Sequence, residues 1–140
     1  MKTENITYIL ARLPIGLSMF GHGLIRLTKL QVFSSGMVNE FSKSILPVWL
    51  VQPFSYALPF LEFLVGILLL LGLFIRFATV LGVLIMLALI FGTATLEQWN
   101  NIFTQMIYGV YFALLFRYSA FNFYSLDSLL KKDSHDHNRT

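Results

Sequence analysis

Three ionisable side chains stand among leucines, isoleucines and phenylalanines: His22 and Arg26 in the stretch GHGLIR, and Glu62 in LPFLEFLVGILLLLG. A carboxylate and an imidazole brought together can take up and release protons near neutral pH, and a guanidinium beside them can hold a carbonyl or anionic oxygen. Glu62 and His22 are therefore the candidate catalytic, proton-handling pair, with Arg26 as the charged group of an adjoining pocket. Further along, Asn101, Thr104, Tyr108, Tyr111 and Tyr118 recur at helical spacing. Tyrosines in such a stripe hydrogen-bond inside a helix bundle or stack on a flat ligand, so Thr104, Tyr108 and Tyr111 join Arg26 as candidate pocket residues. Both sets have a plainer reading, in which the same groups only fix helix packing, and the residues alone leave the two open.

The elements that must carry these groups follow from composition. The chain has 140 residues, 56% hydrophobic and 12% charged, where an ordinary soluble domain is roughly 25% charged. So few charges cannot cover so much apolar surface in water, and the lipid bilayer is the expected surroundings. A hydrocarbon core needs roughly 20 apolar residues per helix. Four stretches fit, near Ile6–Leu27, Phe54–Ile75, Phe77–Leu96 and Ile102–Tyr118. Their apolar runs are continuous, which favours helices over barrel strands. The expected fold is thus all-α, a four-transmembrane-helix bundle over residues 1–124 with a polar cytoplasmic tail over 125–140. Spans two and three meet in a hairpin at Arg76. The longer connection before span two is expected to hold a short interfacial helix within MVNEFSKSILPVWL, and the tail ending KKDSHDHNRT to fray. The first span is too long for a signal-peptide core and is expected to stay in the protein.

On the first helix Arg12, Gly16, Met19, Gly23 and Arg26 share one face, with His22 at its side. Gly16 and Gly23 let a partner helix approach closely, so this face points into the bundle. Arg12 either snorkels to headgroups or makes a structural pair. Glu62 lies about eight residues into its span, roughly 12 Å deep at 1.5 Å per residue, and Met19 to His22 fall at that depth. Charge sets the orientation: Lys2, Arg12, Arg76, Arg117, Lys131, Lys132 and Arg139 would share the side of both termini, against Arg26, Lys29 and Lys43 opposite, which puts both termini in the cytoplasm. Trp49, Tyr56 and Trp99 would form the outer aromatic belt and Tyr8, Tyr118 and Tyr124 the inner one.

The chain has no cysteine, which excludes a dithiol relay, a cysteine-ligated iron–sulfur cluster and a disulfide scaffold. With one histidine in a span, a bis-histidine haem within one copy is also excluded. His135 and His137 have chelating spacing but read as a solvated tail, so no metal is expected, and no nucleic-acid partner either.

These residues, in order, resemble the DoxX family of small membrane proteins: Arg12 with Gly16, then His22-Gly23-x-x-Arg26, Pro47, Glu62-x-x-x-Gly66, LLLLG ending at Gly72, Arg76, and Ser125-Leu126-Asp127. Two departures stand out. Arg26 takes the place of the family's usual lysine, and FNFYSLD lacks the usual glycine before Ser125. The resemblance implies a bundle in the bacterial cytoplasmic (inner) membrane, with Gly66 and Arg76 among its structural positions. It further implies a quinone-associated oxidoreductase subunit, or a membrane partner of a redox complex. Quinone would then be the cofactor, and a redox protein or a second copy the partner. The alternative is a non-catalytic membrane anchor or scaffold, with a small-molecule transporter as a further reading; whether the chain is itself an enzyme stays open. The charge pattern makes one prediction. Reporters fused after Thr140 and within residues 42–44 should report opposite sides of the membrane, and reporters on the same side would refute the four-span topology.

Overall fold

The computed structural model describes residues 2–136, with side chains through residue 131. The described chain is all-α. Its helices are α1 (Thr3–Thr28), α2 (Leu30–Phe41), α3 (Val48–Leu71), α4 (Ile75–Thr95), α5 (Trp99–Arg117) and α6 (Leu126–Asp136), with a single 3-10 turn at Ser119–Phe121. Helices α1, α3, α4 and α5 alternate in direction around one core, in which Met19, Leu58, Val65, Leu69, Ala78, Met86, Phe112 and Leu115 interlock.

The tightest seam is between α1 and α3. A Cβ built on Gly23 would lie 2.6 Å from the Phe63 Cα, and one on Gly66 would lie 2.5 Å from the Phe20 Cα. Each glycine thus receives the backbone of the opposite helix, as small residues do where helices meet in lipid. Between them the Phe20 and Phe63 rings stack with centroids 5.2 Å apart. Gly16 repeats the arrangement lower down, with its would-be Cβ 3.0 Å from the Leu69 Cβ. The glycine face expected on α1 packs on α3, and Gly66 supplies the reciprocal contact. On the other side of the core Gly82 makes room for the buried Phe112 ring.

The outside of these helices is apolar. Leu10, Leu17, Phe60, Leu84, Phe91, Phe103 and Val110 are each more than half exposed, a continuous surface that only lipid or protein can cover. Among the described residues, α1, α3 and α4 are long and apolar enough to cross a membrane, with mean hydropathies of 1.3, 2.1 and 2.4. Helix α5 has 19 residues but opens with Trp99-Asn100-Asn101 and carries Gln105, which lowers its hydropathy.

Several details differ from the sequence expectation. Helix α3 starts at Val48, six residues before Phe54, because Pro47 in an extended conformation (φ −75°, ψ 151°) sets the helix start. Pro53 and Pro59 then lie inside α3, as Pro14 does inside α1; membrane helices tolerate this. The short helix before α3 is α2, which begins at Leu30, ahead of the predicted stretch, and shares only residues 37–41 with it. It packs on α3 through the buried Ser34–Ser55 hydroxyl pair at 2.6 Å. The α3–α4 hairpin turns at residues 72–74, not at Arg76, which sits in the first turn of α4. Gly72 adopts φ 67°, and the Leu73 N–H returns to the Leu68 carbonyl at 2.9 Å, a glycine-terminated helix end. The start of the tail is helix α6 rather than frayed chain, while His137 and Arg139 lie outside the described residues. Tyr8 is not a belt residue: it is 4% exposed and donates its hydroxyl to the Leu115 carbonyl at 2.8 Å. Trp49, Trp99, Tyr118 and Tyr124 are exposed and Tyr56 half-buried.

The seam predicts a contrast within one helix turn. Gly21 has nothing within 4 Å of a would-be Cβ, so Gly21→Ala should leave thermal stability in detergent unchanged or raise it, by up to about 1 kcal/mol from helix propensity. Gly23→Ala should lower it by about 1–3 kcal/mol through overpacking. Equal melting temperatures for the two variants would show that the α1–α3 contact yields freely.

Candidate functional site

At the end of the bundle opposite the start of α1 and helix α6, α1 and α3 bring Arg26 to Glu62. Nη1 of Arg26 lies 2.6 and 2.7 Å from the two carboxylate oxygens. The Glu62 side chain is 4% exposed and that of Arg26 29%, so the acid is inside and the base reaches in from the rim. The Arg26 guanidinium also lies over the Phe33 ring of α2, 4.7 Å from its centroid, a cation–π contact that fixes its second face.

The pair borders a cavity of about 190 Å³ that Met19, His22, Met37, Leu58, Thr104, Gln105 and Tyr108 complete. Five of the candidate groups, His22 and Arg26 of α1, Glu62 of α3, and Thr104 and Tyr108 of α5, thus line one cavity. His22 and Glu62 make no hydrogen bond to each other. His22 Nδ1 donates instead to the Ser18 carbonyl at 2.7 Å. That carbonyl can only accept, so Nδ1 carries the proton and Nε2 is the ring's other functional nitrogen. The Tyr108 hydroxyl is 2.7 Å from Ser18 Oγ. Gln105 donates Nε2 to Thr93 Oγ1 at 2.9 Å, while its Oε1 is buried without a partner.

Tyr111 does not border this cavity. It lies one helix turn further along α5, where its hydroxyl donates to the Ala11 carbonyl at 2.5 Å and ties α5 to α1. Residues that the sequence reading did not single out complete the site: Gln105, Met37 and Phe33. Gln105 was within reach, since it precedes Tyr108 by three residues on the same helix face. Met37 and Phe33 were not, because they belong to a helix whose position depends on how the connection folds back.

The cavity continues into a cleft of about 690 Å³ between α2, the start of α3, the end of α4 and the start of α5, with Arg26, Met37, Leu89 and Gln105 bordering both. Phe41, Leu50, Phe54 and Phe91 make its walls apolar. Across its mouth Gln98 Nε2 donates to Glu40 Oε1 at 2.6 Å.

The other candidate residues lie at the far end. Arg12 is 3% exposed; of the two roles open to it, the structure shows pairing. It donates to Asn122 Oδ1 at 2.5 Å and to the Tyr124 carbonyl at 3.4 Å. Asn122 Nδ2 donates onward to the Gly72 carbonyl at 3.1 Å. Asp127 accepts the Phe74 and Ile75 amides at 2.8 and 3.2 Å, capping α4 at its positive end. Arg76 is exposed and donates Nε to Ser119 Oγ at 3.1 Å. Among the described residues no group of histidines and acids could hold a metal ion.

The DoxX family model matches residues 7–95, well over half of the 140 residues, and the chain belongs to the DoxX family. The match takes in α1 from Thr7 to the end of α4, hence Arg12, His22, Arg26 and Glu62, while the α5 wall of the cavity lies beyond it. No curated protein and no solved structure matches.

The ion pair predicts an asymmetry between single and double replacement. Arg26→Ala strands a buried carboxylate and should cost about 3–5 kcal/mol, whereas Arg26→Met with Glu62→Leu removes both charges and should recover most of it. Thermal melting in one detergent checks this; a double variant no more stable than Arg26→Ala would mean that the charges are not coupled.

Proposed function

We propose that this DoxX protein is a quinone-associated membrane subunit, or membrane partner, of a redox complex, and that the Arg26–Glu62 cavity receives the quinone head. The supporting observation is a buried carboxylate, paired with Arg26 at the rim, lining a cavity that meets an apolar cleft. A flat, polar-headed, apolar-tailed molecule matches that shape, with the head beside Arg26 and Tyr108 and the tail between Phe41, Phe54 and Phe91. A quinone supplies two-electron, two-proton chemistry when bound. The chain's own groups would hold and move protons there: Arg26 and the Tyr108 hydroxyl can donate to a carbonyl oxygen, and His22 Nε2 and the Glu62 carboxylate can accept a proton. With no cysteine for a redox centre, electrons would come from a partner protein.

In this reading α5 is the fourth span, packed against α4 along its length, and α2 lies at the outer boundary. The start of α1, helix α6 and the Gly72 turn share one end of the bundle, and by loop charge we read that end as the cytoplasmic side of a bacterial inner membrane. The competing reading is a membrane anchor in which the same ion pair only locks the bundle.

Glu62→Gln separates the two. The amide keeps the shape and some hydrogen bonding, so the fold should survive. Purified parent protein should yield quinone on solvent extraction, and Glu62→Gln should lose it per folded molecule. If the pair only locks the bundle, the variant should shift stability by about 1–3 kcal/mol, with quinone content unchanged per folded molecule. Parent protein without quinone, purified in mild detergent with its lipids, would favour the anchor.

A further inference from the structure

Helix α2 is attached unequally along its two edges. Toward α3 it is held by the Ser34–Ser55 hydroxyl pair at 2.6 Å, with both residues buried, and by the Tyr56 hydroxyl, which donates to Gln31 Oε1 at 3.2 Å. Toward α4 and α5 it is held by the exposed bond from Gln98 Nε2 to Glu40 Oε1 and by the Phe41 ring, which rests against Gly92. A Cβ built on Gly92 would lie 3.3 Å from that ring. Gly92 has no side chain to interlock with Phe41, and an exposed hydrogen bond competes with water, so this edge is the weaker one.

Both ends of α2 can turn. Lys29, before it, leaves helical geometry at φ −136° and ψ 44°, and residues 42–46 after it are turns and bends. Element ends of this kind absorb the dihedral change of a hinge. Within α2 only Ser34 is buried, and a helix with so little buried surface opens at low cost.

What lies beside α2 gives such a movement a use. Val32, Phe33, Gly36, Met37, Glu40 and Phe41 border the cleft of about 690 Å³. Met37 also borders the cavity at Glu62, and the Phe33 ring lies against the Arg26 guanidinium. With its Glu40 edge down, α2 completes the surroundings of Arg26. With that edge lifted, the cleft between α3 and α4 is uncovered.

We infer that α2 is a lid, hinged along α3 at Ser34–Ser55 and latched to α5 at Glu40–Gln98, under which an apolar-tailed molecule enters the cleft sideways from the bilayer. That this molecule is a quinone rests on the function proposed for the Glu62 cavity; the hinge and the latch do not.

The test uses the full chain in lipid nanodiscs. The chain has no cysteine, so introduced pairs carry spin labels at known places. Asn39→Cys with Asn100→Cys reports the latch edge, and Ser35→Cys with Gln52→Cys the hinge edge; all four residues are exposed. The latch pair should show a short and a long distance. Glu40→Ala should raise the long-to-short ratio about fivefold, the population shift worth one hydrogen bond, with the hinge pair unmoved. The second readout is exchange of a short-tailed quinone. Glu40→Ala should speed its binding and its release by similar factors, and a short bis-maleimide joining Asn39→Cys to Asn100→Cys should stop both. A latch pair unchanged by Glu40→Ala overturns the proposal, as does a hinge pair that lengthens with it, which would show α2 leaving as a whole. Quinone exchange undisturbed by the cross-link would show another entrance and overturn it too. A parent protein that binds no quinone refutes the ligand, and the two distances then decide the lid alone.

Discussion

The close approach of α1 and α3 is the constraint on which the site depends. Arg26 and Glu62 sit on different helices, and a guanidinium nitrogen within 2.6 Å of a carboxylate oxygen requires two backbones nearly in contact. Gly23 and Gly66 provide that, one from each helix, at positions where any Cβ would collide with the opposite chain. The energetics run in the same direction. An ion in a low-dielectric setting is costly, and its partner offsets the cost only at good geometry. The glycines thus fix the distance at which keeping two charges inside becomes possible, and the Phe20–Phe63 stack between them resists sliding of one helix along the other.

Much of this was legible in the sequence, because spans and glycine faces follow from periodicity. Arg12, Gly16, Met19, Gly23 and Arg26 recur at helical spacing, and that pattern alone puts them on one face. Depth counting correctly brought His22, Arg26 and Glu62 to a common level, yet it suggested His22 as the partner of Glu62. The structure instead joins Arg26 to Glu62 and leaves His22 bonded within its own helix. Depth fixes position along an axis but not around it, and a four-bond arginine side chain reaches a turn further than an imidazole. The course of α2 was not legible either. Whether a connection runs along the interface or folds back onto α3 depends on contacts such as Ser34–Ser55, which join residues 21 positions apart, and no local pattern announces them. The same holds for the tail. Its composition is polar, yet Asp127 docks on α4 because two backbone amides there have no partner within their own helix.

Both ends of the bundle bury charge. At the end formed by the start of α1, the Gly72 turn and α6, Arg12 bonds to Asn122, Asn122 to the Gly72 carbonyl, and Asp127 to the start of α4, while Arg12 Nε and Asn5 Oδ1 are buried without a partner. Asn122 occupies the stretch where the family usually has a glycine before Ser125. Its amide serves both as acceptor for Arg12 and as donor to the Gly72 carbonyl, so a side chain ties together what a tight turn would otherwise bring near. Phe74, at φ 49°, is a non-glycine residue in the left-handed region, a conformation that persists only where its surroundings over-determine it; here Asp127 holds its amide.

At the other end Gln105 Oε1 is likewise buried with no partner, a loss of about 1–3 kcal/mol for such a group, and the exposed His22 bonds the Ser18 carbonyl through Nδ1. Orphaned buried atoms at both ends do not by themselves mark a site. The cavity at Glu62 meets an apolar cleft at Arg26 and Gln105, and that continuity weighs toward an occupant that arrives from the lipid rather than from water.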